Sequence, residues 1–181
     1  MNHSRLIFCT AVLVVALYVP ADRVLAFDFY PLEVFTTNGD YYDSPDLNVY
    51  VEVSDGTTAL ADFTFYNGSL IDCSLAVVYF DRGTVLGTAS ITNGPGTSFT
   101  QTAAPGHLPG SDINEFSTGG EPPAPDNGVN PGEPLEWVRI TFDLINGSTF
   151  ADLIGELDTG VLLVGGHIIA IPDGSSESGA T

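Results

Sequence analysis

The sequence predicts an all-β protein, an antiparallel β-sandwich of jelly-roll-like type with one short helix near residues 149–158. Three observations lead to this fold class. Apolar and polar residues alternate with period two over several short segments, which is the pattern of half-buried strands. Pairs of glycine, asparagine and aspartate that favour turns separate these segments. The hydrophobic period lengthens to that of a helix late in the chain.

Residues 1–26 are predicted to be a signal peptide. Arg5 supplies a small positive charge, residues 6–19 are apolar, and Ala26 is the small residue expected at the cleavage site. The apolar run is shorter than the ~20 residues that a membrane-spanning helix needs. The alternative is a retained membrane anchor. We expect a secreted protein, extracellular or at the cell surface, whose residues 27–181 form a single β-sandwich domain without a membrane span.

The chain is strongly acidic, with 23 Asp and Glu residues, 4 Lys and Arg residues, and a formal net charge of −19. Without residues 1–26 it keeps 22 acidic residues, two arginines and a formal charge of −20. Nucleic acid and anionic lipid repel such a polyanion, so neither is expected as a partner. The acidic residues are dispersed, which is typical of an extracellular or salt-adapted surface.

Strands are predicted from the start of the mature chain. Residues 47–54 and 58–67 both alternate, and Asp55-Gly56 between them is typical of a hairpin turn. Further strands are predicted at residues 70–71, 74–80 and 84–91. Turn residues follow each of them, as expected for an antiparallel sandwich.

The clearest local signals lie between residues 135 and 171. Residues 135–144 alternate and predict a strand, and Asn146-Gly147 predicts a turn. A helix follows, because Phe150, Leu153, Ile154 and Leu157 form one apolar stripe, with Ser148 or Thr149 as its N-cap. Residues 161–171 are apolar on both faces, which predicts a central strand. Gly165-Gly166 within it predicts a bulge or the close approach of another backbone.

Residues 93–134 interrupt the strand pattern and hold most of the prolines. Proline cannot donate a hydrogen bond to a sheet, so this segment is predicted to be a long Pro/Gly-rich loop. Four apolar residues of this loop could pack against the sandwich and hold the loop on it. They are Phe99, Leu108, Ile113 and Phe116.

Several motifs resemble those of one group of exported bacterial proteins. They are YFDRGTVLGTASI, NGVNPGE, TFDLINGSTFADL and the closing GGH and DGSSES. The resemblance is to β-domain proteins of the PEP-CTERM type, which are associated with an exosortase, and it covers roughly residues 47–178. The chain lacks that family's C-terminal sorting tail. The resemblance implies a cell-surface or matrix β-domain and supplies no catalytic residue.

Five aspartates are the candidate metal ligands, because calcium takes six to eight oxygen ligands, commonly from acidic loops. They are Asp40, Asp43, Asp46, Asp112 and Asp126. Their spacing does not follow the calcium-hand pattern, and the alternative is an ordinary solvated acidic loop. No other cofactor is expected.

Four aromatic residues are the candidate ligand-binding residues, because exposed rings can stack on sugars. They are Tyr41, Tyr42, Tyr50 and Trp137. The alternative is cross-strand packing.

The sequence contains no recognisable catalytic motif, and no catalytic residue is assigned. His107 and His167 have no metal-ligand spacing, and His167 is expected to be structural. Cys73 is the single cysteine of residues 27–181 and is expected to be a buried thiol.

The sequence therefore predicts an exported, non-enzymatic structural or interaction protein of the cell surface or extracellular matrix. Its expected partners are extracellular polysaccharide or surface proteins. One alternative is a carbohydrate-binding module, with calcium as a stabilising ion. Another is a carboxylate-dependent hydrolase, which requires two carboxylates in a cleft and a raised pKa.

Export gives the first testable prediction. Cleavage after Ala26 is expected to leave Phe27 as the N-terminus of protein purified from its native host. Edman sequencing or mass spectrometry of that material measures this directly. Membrane-bound protein that retains Met1 would contradict the prediction.

Overall fold

The computed structural model describes residues 26–101 and 106–181. The predicted signal peptide therefore lies, except for Ala26, outside the described residues. Eleven strands and two helices follow one another in the described chain. In chain order they are β1 (Phe27–Pro31), β2 (Glu33–Val34), β3 (Val49–Asp55), β4 (Leu60–Asn67), β5 (Ser74–Asp81), β6 (Leu86–Asn93), β7 (Phe99–Thr100), β8 (Phe116–Gly120), α1 (Ala124–Asn127), β9 (Trp137–Leu144), α2 (Phe150–Asp158), β10 (Leu163–Ile169) and β11 (Glu177–Ala180).

The strands form two antiparallel sheets, which confirms the predicted β-sandwich. Sheet A has five strands in the order β1-β3-β4-β9-β6. Sheet B has six, in the order β2-β11-β10-β5-β8-β7. Every strand pair in the described chain is antiparallel. Neither helix in this part of the chain is long and apolar enough to cross a membrane.

The alternating segments of the sequence form the centre of sheet A. Val51 of β3 lies opposite Phe65 of β4, and Phe65 lies opposite Val138 of β9. All three side chains are buried and face sheet B. Because neighbouring residues of a strand point to opposite faces, the polar residues between them lie on the outer face of sheet A.

Aromatic rings join the two sheets. Phe80 of sheet B meets Phe63 and Phe142 of sheet A edge to face, with ring centroids 5.1 and 4.9 Å apart. Phe116 of β8 lies 5.3 Å from Phe142. Burying one such side chain contributes roughly 1.5–3 kcal/mol, and an edge-to-face pair adds roughly 0.5–1.5 kcal/mol. This cluster is the centre of the core.

Helix α2 begins with a reciprocal capping box. The Thr149 hydroxyl accepts a hydrogen bond from the Asp152 backbone N–H (3.3 Å), and the Asp152 carboxylate accepts one from the Thr149 N–H (2.8 Å). Leu153 and Leu157 are buried in the core, and Phe150 and Ile154 pack against it, so the predicted apolar stripe is confirmed.

Two side-chain contacts tie α2 to both sheets. The Glu156 carboxylate accepts a hydrogen bond from the Thr84 N–H (3.0 Å), in the turn after β5. The Tyr30 hydroxyl of β1 donates to Asp158 (3.1 Å). Burial, followed by this contact with the Asp158 carboxylate, raises the pKa of Tyr30 to about 12. The helix therefore bridges an edge strand of sheet A and the end of a central strand of sheet B.

Strand β10 is central, as predicted, and lies between β11 and β5. Its register with β5 shifts between His167 and Ile168, which is the irregularity that the glycine pair predicted. A Cβ on Gly165 would lie 2.4 Å from Leu108, and one on Gly166 would lie 2.7 Å from Leu32 and Leu75. Side chains make the closest approach, and the backbone oxygen of Gly179 lies 3.3 Å from the same Cβ position on Gly165.

The prediction of one long loop at residues 93–134 is wrong in part. The segment contains β7, β8 and α1, and β8 pairs with β5. Proline does not prevent this, because β8 itself has none. Leu108 and Ile113 of the same segment are buried with Tyr79 on the outer face of sheet B. Residues 106–113 therefore cover part of the outer face of sheet B.

The predicted strand at residues 70–71 is also wrong. Leu70 is 82% exposed and lies in a bend. Two adjacent apolar residues have no period that could distinguish a strand from a turn.

The position of α2 leads to a prediction about stability. Leu153→Ala removes a fully buried side chain and is expected to lower the free energy of unfolding by about 2–5 kcal/mol. Gly155→Ala is the matched control in the same helix, because a Cβ at this exposed position meets no atom within 4 Å. It is expected to raise the free energy of unfolding by about 0.5–1 kcal/mol. Urea denaturation measures both changes, and equal effects would contradict this packing of α2.

Candidate functional site

The outer face of sheet A carries the richest set of functional side chains. Strand parity places alternate residues of β1, β3, β4 and β9 on this face. The aromatic row is defined here as Phe29, Tyr50, Tyr66 and Trp137, one residue from each of these four adjacent strands.

The rings of the aromatic row lie close together. Tyr50 is opposite Tyr66 in the register, and their rings stack with centroids 5.4 Å apart and an interplanar angle of 28°. Trp137 lies opposite Tyr66 on the next strand. Phe29 meets Tyr50 edge to face at 6.0 Å and is 55% exposed. The row therefore presents partly exposed aromatic surface across four strands.

Arg139 is held against this row by three neighbours. Its Nε donates a hydrogen bond to the Thr64 hydroxyl (3.0 Å), and its guanidinium carbon lies 5.4 Å from the centroid of the Trp137 ring. Its Nη1 lies 3.9 Å from an Asp62 carboxylate oxygen. An ion pair this exposed contributes at most about 1 kcal/mol, so its main effect is to orient the guanidinium.

An open cavity of about 790 Å³ lies beside the aromatic row. Outward side chains of sheet A, among them Glu52, Asp62 and Arg139, line it together with Phe27 and the β3–β4 turn. Asp62 accepts a hydrogen bond from the Thr141 hydroxyl (2.5 Å), so its carboxylate is positioned by two residues of β9, Thr141 and Arg139. The lining combines one aromatic ring, that of Phe27, with polar and charged side chains.

Tyr66 remains a hydrogen-bond donor on this face. Burial raises the pKa of its phenol, the Glu52 carboxylate raises this pKa further, and Arg139 partly opposes the effect. The hydroxyl therefore stays protonated at neutral pH. The same ring offers an apolar face for stacking and a polar edge for hydrogen bonding.

The structure brings together only some of the aromatic residues singled out from the sequence. Tyr50 and Trp137 belong to the aromatic row. Tyr41 packs against the core instead, and Tyr42 is exposed in the turn that precedes β3. Phe29 and Tyr66 were not among the candidates predicted from the sequence. The hairpin signal could have placed Tyr66 opposite Tyr50, but β1 was not predicted at all.

The five candidate metal ligands are divided among three segments of the chain. Asp40, Asp43 and Asp46 lie between β2 and β3, Asp112 lies on the segment that covers sheet B, and Asp126 lies in α1. The described residues contain no group of three or more His, Cys, Asp or Glu side chains that could hold a metal ion. The Asp40 N–H donates to the Asp173 carboxylate (2.7 Å), which is a contact within the protein.

The carboxyl pair closest to the requirement of a hydrolase is Asp81 with Glu115. Burial raises the pKa of Asp81, and the neighbouring Glu115 carboxylate raises it further by repulsion and a hydrogen bond. Neither residue lines the cavity on sheet A. The pair is therefore separate from the cavity on sheet A.

His167 lies beside a buried carboxylate. Glu177 is fully buried and accepts hydrogen bonds from the backbone N–H groups of Asn38 (2.9 Å) and Gly39 (2.8 Å) and from the Thr36 hydroxyl (2.5 Å). His167 Nδ1 is 3.4 Å from the Ser178 hydroxyl. Burial lowers the pKa of His167, although interactions with Glu177 oppose this shift. These contacts fit the structural role expected of this histidine.

The free cysteine, Cys73, is buried as expected. The Asn67 side-chain amide donates to its sulfur (3.4 Å) and to its backbone carbonyl (3.3 Å).

No protein-family model, curated protein or solved structure matched the chain. Function is therefore inferred from the geometry of the surface itself.

The environment of His167 leads to a prediction about pH. Its folded-state pKa lies below the ordinary value of 6.5, so the neutral ring stabilises the fold above about pH 6.5. This contribution is lost as the pH falls through the folded-state pKa, because the unfolded chain then binds more protons.

Between about pH 8 and pH 5.5, wild-type protein is expected to lose stability relative to His167→Gln, which cannot titrate. Urea denaturation at each pH measures the free energy of unfolding of both proteins. Subtracting one value from the other cancels the pH effects that the two proteins share. Parallel stability curves would contradict the prediction.

Proposed function

We propose that this protein is a non-catalytic carbohydrate-binding domain of the cell surface or extracellular matrix, and that polysaccharide binds on the outer face of sheet A. The observation that carries the proposal is the aromatic row, which spans four adjacent strands. Among the functions predicted from the sequence, the aromatic row favours the carbohydrate-binding module. The aromatic row is also compatible with a structural role in a matrix.

The chemistry of the row suits a sugar polymer. A pyranose ring has an apolar face and hydroxyl groups at its edge, and tyrosine and tryptophan combine an apolar ring with a polar group in the same way. Adjacent strands lie about 4.8 Å apart, so neighbouring rings of the row can contact successive parts of one chain. The polar groups of Arg139 and Tyr66 lie beside these rings and can bind hydroxyl groups.

The shape of the face favours a polymer over a small molecule. Small-molecule sites are concave and enclose most of the ligand surface. Here the rings lie across a sheet face, and the neighbouring cavity is open to solvent. A polysaccharide can gain affinity from several weak contacts along its length.

The extracellular location is part of the proposal. Its support is the sequence of residues 1–26 and the resemblance to exported exosortase-associated proteins. The acidic surface, which keeps a protein dispersed by like-charge repulsion, is consistent with this location.

Substitution of Tyr66 tests the proposal. Tyr66→Ala removes the stacked centre of the aromatic row and is expected to weaken polysaccharide binding by about tenfold or more, the usual effect of losing a central aromatic contact. Affinity electrophoresis in gels that contain soluble β-glucan, xylan or mannan measures retention.

Tyr42→Ala is the matched control, because Tyr42 is an exposed tyrosine outside the sheet. It should bind as wild type does. Circular dichroism and thermal unfolding show whether each variant is folded. The proposal is wrong if folded Tyr66→Ala is retained like wild type, or if no polysaccharide retards the wild-type protein.

A further inference from the structure

We infer that strand β1 is an interaction surface whose partner is a second copy of this chain, paired with it edge to edge as an antiparallel strand. This inference goes beyond the proposed function and does not rest on it. Three features of β1 carry it: the direction of its free backbone groups, the position of Pro31, and two exposed phenylalanine rings.

Strand β1 is an edge of sheet A, and in the described chain it pairs with β3 alone. The N–H of Leu32, directly after β1, donates to the Val49 carbonyl of β3 (2.9 Å). Residues that bond to the partner strand alternate with residues that do not, so the even-numbered residues of β1 bond to β3. The free backbone groups of Phe27, Phe29 and Pro31 therefore point to the open edge.

The other sheet edges of the described chain are less suited to pairing. Strands β2 and β7 contain two residues each. Strand β6 is longer, but its register with β9 shifts between Leu86 and Ala89, and such an irregularity protects an edge. Strand β1 instead carries Phe27 and Phe29, which are 58% and 55% exposed. It is the edge at which pairing covers the most apolar surface.

The donors and acceptors of β1 are complementary to those of a second β1. With Phe29 opposite Phe29 of the second copy, the two residues exchange both of their N–H···O bonds. Phe27 then lies opposite Pro31 of the second copy and donates to its carbonyl. Proline has no N–H, so it needs a partner residue that donates. After the predicted cleavage at Ala26, the amino group of Phe27 still supplies this donor.

The side chains of β1 support the same arrangement. Phe27, Phe29 and Pro31 lie on the outer face of sheet A, and the two rings of one copy meet edge to face at 5.6 Å. A two-fold axis perpendicular to the sheet brings these residues next to the same residues of the second copy. A phenylalanine ring buries about 150–250 Å² at most, whereas a standard interface buries about 1,600 Å² in total. We therefore expect a weak dimer that depends on concentration.

Charge determines how this dimer responds to salt. Each copy has a formal charge of −19, so two copies repel each other at long range. Within the paired strands, Asp28 lies opposite Tyr30 of the second copy rather than opposite Asp28. The repulsion is therefore mainly long-range, and salt screens it within about 10 Å at 0.1 M ionic strength. Added salt is expected to strengthen the dimer, whereas it would weaken one held by ion pairs.

Pairing through β1 joins the two copies of sheet A into one continuous sheet. Because the two-fold axis is perpendicular to this sheet, the outer faces of both copies lie on the same side. One polysaccharide chain could then contact both faces and gain affinity from two weak sites. This consequence alone depends on the proposed function.

Sedimentation equilibrium of the purified protein tests the inference. The apparent mass is expected to rise towards that of a dimer between about 10 μM and 1 mM protein, as for a small interface. At one protein concentration it is expected to rise again between about 0.05 and 0.5 M NaCl.

Phe29→Lys is expected to weaken the dimer by about tenfold or more, because two ammonium groups would meet at the two-fold axis. Leu70→Lys is the matched control, because it makes the same charge change at an exposed apolar residue in a bend outside the sheets. It should dimerise as wild type does. Circular dichroism shows whether each variant is folded.

Disulfide trapping tests the register. Opposite residues of a hydrogen-bonded pair have Cα atoms about 5.5 Å apart, which a disulfide can bridge. Phe29→Cys is therefore expected to form a covalent dimer on mild oxidation. Phe27→Cys also removes one ring, but the two substituted positions lie about 13 Å apart along the strands and should cross-link at least about tenfold more slowly. The native Cys73 is buried and does not compete.

The outcomes decide the inference independently of the proposed function, which polysaccharide retention tests. A wild-type protein that stays monomeric at every protein and salt concentration overturns the inference. It is also overturned if folded Phe29→Lys dimerises as Leu70→Lys does, if salt dissociates the dimer, or if the two cysteine variants cross-link at equal rates.

Discussion

The contact of Phe80 with the rings of sheet A is the interaction on which the rest of the structure depends. Phe80 meets Phe63, Phe65 and Phe142 of sheet A and Phe116 of its own sheet. Because side chains alternate along a strand, turning these rings inward also determines which residues face outward. The aromatic row and the cavity beside it are consequences of this packing. A shift of one residue in register would bury Tyr66 and expose Phe65.

The acidic composition imposes a second constraint. A chain with so few cations cannot pair its carboxylates with basic side chains, and at close range like charges repel one another. Many carboxylates accept hydrogen bonds from backbone N–H groups and hydroxyls instead. Asp152 caps α2, Glu156 binds the turn after β5, and Glu177 anchors residues 36–39 against β11. These contacts use negative charge to satisfy backbone donors at turns and helix ends.

The proposed binding face is that of sheet A because the two outer faces of the sandwich differ. Residues 106–113 cover part of the outer face of sheet B with Leu108 and Ile113, so apolar groups there are internal. The outer face of sheet A carries exposed Phe27 and Phe29 beside polar groups. This face also carries Arg139, one of the few arginines of the chain, and its guanidinium contacts the Trp137 ring of the aromatic row. A face that combines rings, donors and carboxylates is suited to ligand recognition.

The sequence by itself determined the fold class and the elements with a local period. The alternation of apolar and polar residues located β3, β4 and β9, and the apolar stripe located α2. Both patterns depend only on residues that are close together in the chain. Tertiary structure alone decided that Tyr50, Tyr66 and Trp137 lie side by side, and that Phe29 of the unpredicted β1 joins them. It also decided that β8 forms within a proline-rich segment and that Glu177 is buried. Such pairings join residues far apart in the chain, and the packing of the core selects them, so no local pattern encodes them.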